Sequence, residues 1–320
     1  MSGCDRSAAS GTSRRGFLGR AAGAAVAVAG AGVGAGAITG SAAAADKRAY
    51  TAGRFALELD GVNCGWMVGL DGGQRDLAVA LDEVGPDLYQ RKHIGGVKYE
   101  DITMQVGSAM GKPLRDWIQA SFDKGYQRKN GSIIAADFNY KEKSRRAMSQ
   151  AFISEVTFPA LDAASKDHGY LAVSLTVPKL TTVPPSGAPV QAAKQKAWLC
   201  SNFSFELGGV DTSRVASIDS FTWKCSVAPD GSQVLDVSDI AVTFPKSSAS
   251  SWQEWFTSLA SGADDERDGA LTLVGASGLA ITIGLKNLGL YRVLPTVNKR
   301  MKAEMYCERA SWDLKNGTKI

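Results

Sequence analysis

The sequence predicts a mainly β protein built as two tandem domains with one helix each. Three observations carry this expectation. Short stretches alternate apolar and polar residues and stop at glycine, as strands entering hairpins do. The same stretches recur in the same order later in the chain. Each copy also holds one segment with apolar residues at helical spacing around a tryptophan.

The chain opens with a segment set apart from the rest. A polar, basic stretch leads to Ser13, Arg14, Arg15, Gly16, Phe17 and Leu18. An Ala/Gly/Val run without charge follows from Ala21 to Gly40, and Ala43 and Ala45 stand at A-x-A spacing before Asp46. Basic head, apolar middle and small-residue exit read as a signal peptide over residues 1–45. Paired arginines followed by Phe-Leu resemble the twin-arginine type, which exports folded proteins. The run is weakly hydrophobic, lacking the Leu, Ile and Phe of a stable span, so cleavage is expected over a retained anchor. The remainder is then expected outside the cytoplasm, in the periplasm or extracellular space.

Charge bounds the partners. The whole chain carries +4, and Arg6, Arg14, Arg15 and Arg20 against Asp5 supply +3 of it, leaving about +1 after cleavage. Such a balance argues against a nucleic-acid binder. No further run reaches membrane-spanning length, so no membrane association is expected once the signal is gone. Four cysteines follow the signal, Cys64, Cys200, Cys225 and Cys307, with no C-x-x-C spacing. Cys200 and Cys225 are the candidate disulfide pair, with buried free thiols as the alternative.

The repeat organises what remains into residues 50–180, a linker at 181–197 and residues 198–315. Phe55 to Val62 matches Phe203 to Val210. Asp101–Val106 matches Asp239–Phe244, Leu114–Ile118 matches Trp252–Phe256, and Ser132–Ile134 matches Ala270–Thr272, all at an offset of 138. Phe158-Pro159 and Leu294-Pro295 follow at 136. The first helix is expected over Lys112 to Lys124, burying Leu114, Trp117, Ile118 and Phe122. The second is expected after an N-cap at Ser250 or Ser251, burying Trp252, Trp255, Phe256 and Leu259. Both tryptophans read as core anchors. Pro and Gly between 183 and 189 make the linker a semi-extended spacer.

The first unit resembles the tail-tube proteins of contractile phages and the tubes of contractile injection systems and type VI secretion. The resemblance rests on Arg91-Lys92, His93-Ile-Gly-Gly-Val-Lys98-Tyr99-Glu100-Asp101, Leu114-Arg-Asp-Trp117-Ile118 and Arg128-Lys129-Asn130-Gly131. It implies a small β-sandwich or barrel with one helix at its side, six units per ring, and rings stacked into a tube. It also implies a polar contact loop between about Gly72 and Ile94. A duplicated subunit would make such a ring as a homo-oligomer of three chains. The strands near Tyr170 to Val177 and Arg300 to Leu314 are the candidates for edge pairing.

No catalytic, cofactor or metal set emerges. His93 and His168 stand in separate segments, and no nucleophile elbow, P-loop or H-E-x-x-H occurs. Val68 to Gly73 reads as a turn, Lys141 to Arg146 as a solvated hairpin tip, and Asp264–Asp268 as a solvated acidic loop, with weak Ca²⁺ binding as its alternative. That loop stands where the first unit carries Lys124 and Arg128-Lys129. The sequence thus predicts an exported structural protein; a monomeric exported binding or adhesion module is the rival reading.

Overall fold

The computed structural model describes residues 53–316, apart from 85, 87, 125–126, 229–230 and 276–278. The twin-arginine residues and the Ala43/Ala45 cleavage positions lie outside the described residues. Ala49–Ile320 forms one compact unit. The expected domains 50–180 and 198–315 both fall within it, and they share one large apolar cluster.

The chain is mainly β. The first half opens with β1 (Arg54–Leu59), β2 (Val62–Met67), β3 (Gly69–Gly72), β4 (Arg75–Val84), β5 (Gln90–Tyr99) and β6 (Ile102–Val106). Helix α1 (Lys112–Lys124) leads to β7 (Lys129–Ala136), β8 (Glu142–Phe158), β9 (Leu161–Asp162), β10 (His168–Gly169), β11 (Leu171–Thr176) and β12 (Lys179–Val183). The second half opens with β13 (Trp198–Leu207), β14 (Ser217–Ile218), β15 (Phe221–Val227), β16 (Gln233–Val237) and β17 (Ile240–Pro245). A short 3₁₀ turn and α2 (Ser250–Ala260) precede β18 (Arg267–Gly275), β19 (Leu279–Pro295) and β20 (Arg300–Asn316).

One sheet runs β2-β1-β7-β8-β11-β6-β3, with β12 and β15 also on β8 and β16 outside β15. The other runs β10-β13-β18-β19-β20-β17-β14-β9, while β4 and β5 pair with each other. Each sheet therefore borrows strands from the opposite half. All ladders are antiparallel, and alternate residues face the shared core, as in Leu171, Val173 and Leu175 of β11.

Several ladders of the two halves show matching registers. Phe55, Leu57 and Leu59 of β1 face Ala135, Ile133 and Gly131 of β7. Phe203, Phe205 and Leu207 of β13 face Leu273, Leu271 and Gly269 of β18, at offsets of 148 and 138. Leu171 and Leu175 face Val106 and Ile102, as Met301 and Met305 face Phe244 and Ile240. Details recur too. Trp117 Nε1 donates to the Gln127 carbonyl and Trp255 Nε1 to that of Asp265, each at 2.7 Å. Gln150 and Asn287 both hold positive φ at corresponding kinks. A Cβ on Gly131 would meet the Glu58 carbonyl oxygen, and one on Gly269 that of Glu206, so glycine is required at both crossings.

Several sequence expectations need correction. The proline match at 136 is displaced by one: Thr157 faces Ala172 and Leu294 faces Lys302, which sets β8 against β19 at 137. The segment Val68 to Gly73 is not only a turn, because Gly69–Gly72 pairs with β6. The strands near Tyr170 to Val177 and Arg300 to Leu314 are interior, each flanked on both sides. In the spacer 181–197, Thr181–Val183 extends β12 against β8. Farther along, backbone bonds pin it: Trp66 N to Ala193 O at 2.9 Å and Ser108 N to Lys196 O at 2.6 Å. Helix α2 is capped by Ala249 without a side-chain bond, while Ser251 Oγ instead accepts from the Asp211 amide. Trp252 and Trp255 are buried, but Phe256 stays 37% exposed. Cys200 of β13 and Cys225 of β15 are separate buried thiols. Burial also pushes the Cys64 thiol up to about 11.

Candidate functional site

The chemistry-bearing residues do not converge. His93 Nδ1 meets Asp82 at 3.1 Å on an exposed hairpin, and His168 lies in β10, in the other sheet. Among the described residues no group of three or more His, Cys, Asp and Glu is placed to hold a metal ion. The acidic segment Asp264–Asp268 divides its carboxylates among separate partners. Asp265 meets Arg267 at 3.0 Å, Asp268 meets Lys286 at 2.6 Å, and Glu266 accepts from Tyr306. The last contact pushes the Tyr306 phenol up to about 12. Among the described residues no helix is long and apolar enough to cross a membrane.

Lys141 to Arg146 is not a solvated tip. Glu142 begins β8 almost fully buried, bonded to Arg145 at 2.9 Å and to Ser186 at 2.7 Å. Arg145 reaches on to Glu58 at 2.9 Å. The guanidinium holds the Glu142 carboxyl below the usual carboxylate range. Charge pairing let this run enter the sheet.

What the fold does present is a set of surfaces suited to contact. The polar loop expected between Gly72 and Ile94 is instead mostly the β4–β5 hairpin. Leu77, Val79 and Leu81 alternate along β4, with Val97 and Ile94 opposite Leu77 and Val79. All five are more than half exposed. They form an apolar face on a two-stranded ribbon that lies off both sheets, an arrangement marginal by itself in water.

The second half has the matching hairpin, β15–β16, in a different setting. Arg75 faces Tyr99 as Trp223 faces Val237, and Glu100 N bonds Gln74 O as Ser238 N bonds Thr222 O. Here, however, β15 lies along the far end of β8, with Phe221, Thr222, Trp223 and Lys224 facing Phe158, Thr157, Val156 and Glu155. Phe221 stacks on Phe158 at 4.6 Å, and Trp223 stacks on Phe122 of α1 at 4.4 Å. Thr157 and Thr222 share a hydrogen bond of 3.0 Å, and Lys224 reaches Glu155 at 3.9 Å. Helix α1 also packs on β20, with Trp312 near Phe122. This junction joins the halves through strand pairing and an aromatic cluster. No sequence signal announces it, because its partners lie about 65 residues apart.

Comparison with known proteins bears on the first half. Residues 52–181 match the family model of the T4-like virus tail tube protein gp19. Among solved structures, a chain of the sheath-tube complex of an extracellular contractile injection system, PVC, is similar at 19% identity and a TM-score of 0.35. The similarity covers 46% of this chain and 99% of that one. A chain of the anti-feeding prophage tube-terminating cap is similar at 21% identity and a TM-score of 0.34, covering 45% of this chain and 99% of that one. Hcp1 from Flavobacterium johnsoniae is similar at 14% identity and a TM-score of 0.25, over 42% and 96% of the two chains. No curated protein matches. The family description is that of a structural tube component, not of an enzyme.

Proposed function

We propose that this chain is an exported structural subunit that self-assembles into rings or tubes and carries two tandem tube-type units behind a twin-arginine signal. The observation that carries the reading is the recurrence of strand registers between the two halves, combined with the tube-family match over residues 52–181. The match supports a tube-type first unit, and the shared registers extend that reading to the second. Within the chain the two units already join head to tail, through β15 on β8. Head-to-tail contacts repeat until a ring closes or a filament grows. Three chains would supply six units and a pseudo-sixfold ring.

Mass measurement and negative-stain electron microscopy of the purified chain test this. A three-chain ring, or a stack of such rings, is expected. A particle that stays at the mass of one chain at every concentration overturns it in favour of the exported binding or adhesion module. Export is tested separately by Arg14→Lys with Arg15→Lys. Retention in the cytoplasm is expected, and unchanged export would exclude the twin-arginine route.

A further inference from the structure

The junction inside the chain has an unmet counterpart at the chain's two ends. Along β8, β7 pairs as far as Ala151, and β15 takes over from Glu155 to Phe158. Along β19, β18 pairs as far as Leu288, and beyond it Arg292–Pro295 pairs with β20 alone among the described residues. The position of β15 in the first half belongs to Gly73–Asp76, which precedes and begins β4. Among the described residues, that edge has no strand beyond its hairpin partner, although its Gly73 carbonyl accepts from Arg146 at 2.6 Å, which leaves the Arg75 backbone groups and the Gly73 amide for a partner. Each chain therefore carries one half of the junction at each end. Unpaired strand edges of this kind are templates for another chain.

We infer that the β19 edge Arg292–Pro295 of one copy pairs antiparallel with Gly73–Asp76 of a second copy, reproducing between chains the junction that β8 and β15 make within one. The register follows from the offsets of 137 and 148. Asp76 then lies opposite Arg292, Arg75 opposite Val293, and Gln74 opposite Leu294. The first pair is diagnostic. Within the chain the same position pairs Lys224 with Glu155. Between chains it pairs a carboxylate with a guanidinium, the signs exchanged but the complementarity kept. Such exchange favours the alternating joint over a joint between like ends, because Asp76 facing Glu155 would set two carboxylates together.

Exposure at the β19 end points the same way. Phe158 is fully buried by the internal junction, whereas its counterpart Pro295 is exposed, as are the neighbouring Tyr291, Leu294 and Val297. Val293, at the place of buried Val156, is only partly covered. On the helices, Ile118 of α1 is buried, and its counterpart Phe256 of α2 is left at 37%. This apolar strip around β19 and α2 is what a second copy would cover. The inference rests on the ring reading above and specifies the seam that closes it.

The test uses charge exchange and cross-linking in the full chain. Arg292 already meets Glu304 at 3.0 Å, so Arg292→Gln serves as the control for loss of that contact. Asp76→Lys and Arg292→Glu are each expected to raise the concentration needed for assembly about tenfold or more, and the double variant to recover most of that loss. A chain with Asp76→Cys and Arg292→Cys is expected to form covalent dimers and trimers on oxidation, since opposed antiparallel residues stand about 4.5–5.5 Å apart at Cα. If the unaltered chain assembles while single and double variants assemble alike and no intermolecular disulfide forms, the seam is wrong and the ring reading stands. If the unaltered chain stays single and the cysteine pair links nothing between copies, both fall.

Discussion

The hairpins β4–β5 and β15–β16 occupy the same place in the two halves and meet opposite fates. Both leave the sheet after a short strand and return to the strand before the helix, and their base pairs, Arg75–Tyr99 and Trp223–Val237, correspond. Phe221, Trp223 and Val237 are buried, while Leu77, Val79 and Leu81 are 56–59% exposed. Apolar alternation is present in both, but where the second hairpin starts with Phe221 and Trp223 the first carries Gly73 and Arg75. The hairpins differ as well in whether an edge is offered for them to lie on. The second hairpin has the end of β8, already laid down before it in sequence. Among the described residues no strand precedes the first hairpin to take that place. A strand's burial thus depends on whether an edge is offered to it.

Removing the aromatic lock of the internal junction should show the largest effect. Trp223→Ala takes away a fully buried side chain that stacks on Phe122. It is expected to cost about 3–5 kcal/mol of stability in urea unfolding. A loss below about 1 kcal/mol would mean that the junction is not a core, and the contrast between the hairpins would collapse.

A smaller effect tests the equivalence of the halves. Trp117→Phe and Trp255→Phe each remove an indole bond to a loop carbonyl ten residues on, and each leaves a smaller ring in a tight core. Both are expected to cost about 1–3 kcal/mol, alike to within about 1 kcal/mol. Strongly unequal losses in thermal or urea unfolding would show that the two helices are not interchangeable anchors.

How much of this was legible in the sequence follows from how local each feature is. The helix over Lys112–Lys124 and the buried faces of both tryptophans came through, because apolar spacing within one helix is set by a dozen residues. The expected repeat has the same local basis, being read as a succession of local patterns. Phe256 was misjudged: its helical position is the one that buries Ile118, but at α2 no such cover lies among the described residues. The interior places of β11 and β20 were missed because flanking by β6 and β8, or by β17 and β19, is settled by non-local pairing. Lys141 to Arg146 read as solvated because charge alone was visible, not the mutual satisfaction of Glu142 and Arg145. The junction of β15 with β8 was the deepest miss, and the proposed seam between copies is built on it.

The halves should also differ in acid. Arg145 holds the Glu142 carboxyl below its ordinary range, and at the equivalent strand position the second half carries Leu279. A lowered folded-state value stabilises fully above the unfolded carboxylate range, near pH 4.5. That contribution is lost as pH falls through the lowered value. Melting temperature is therefore expected to drop below about pH 4. Glu142→Gln is expected to cost about 1–2 kcal/mol at neutral pH, since Arg145 keeps Glu58, and to flatten the acid limb. An unchanged acid limb in the variant would place the acid-sensitive carboxylate elsewhere.

The smallest expected effect on stability isolates the hairpin that has nothing to lie on. Leu77→Ser with Val79→Ser alters two side chains that are already 56% and 59% exposed. Folding gains little from them, so unfolding free energy is expected to move by less than about 0.5 kcal/mol per site. Association is different, because an exposed apolar face contributes only when a partner covers it. Sedimentation of the double variant is expected to show shorter or fewer stacked particles while the single ring persists, since the seam at Gly73–Asp76 is untouched. A loss of the ring itself would merge hairpin and seam into one surface. An unchanged stack would mean that the apolar ribbon contacts nothing in the assembly, and the two hairpins would then differ in burial without differing in role.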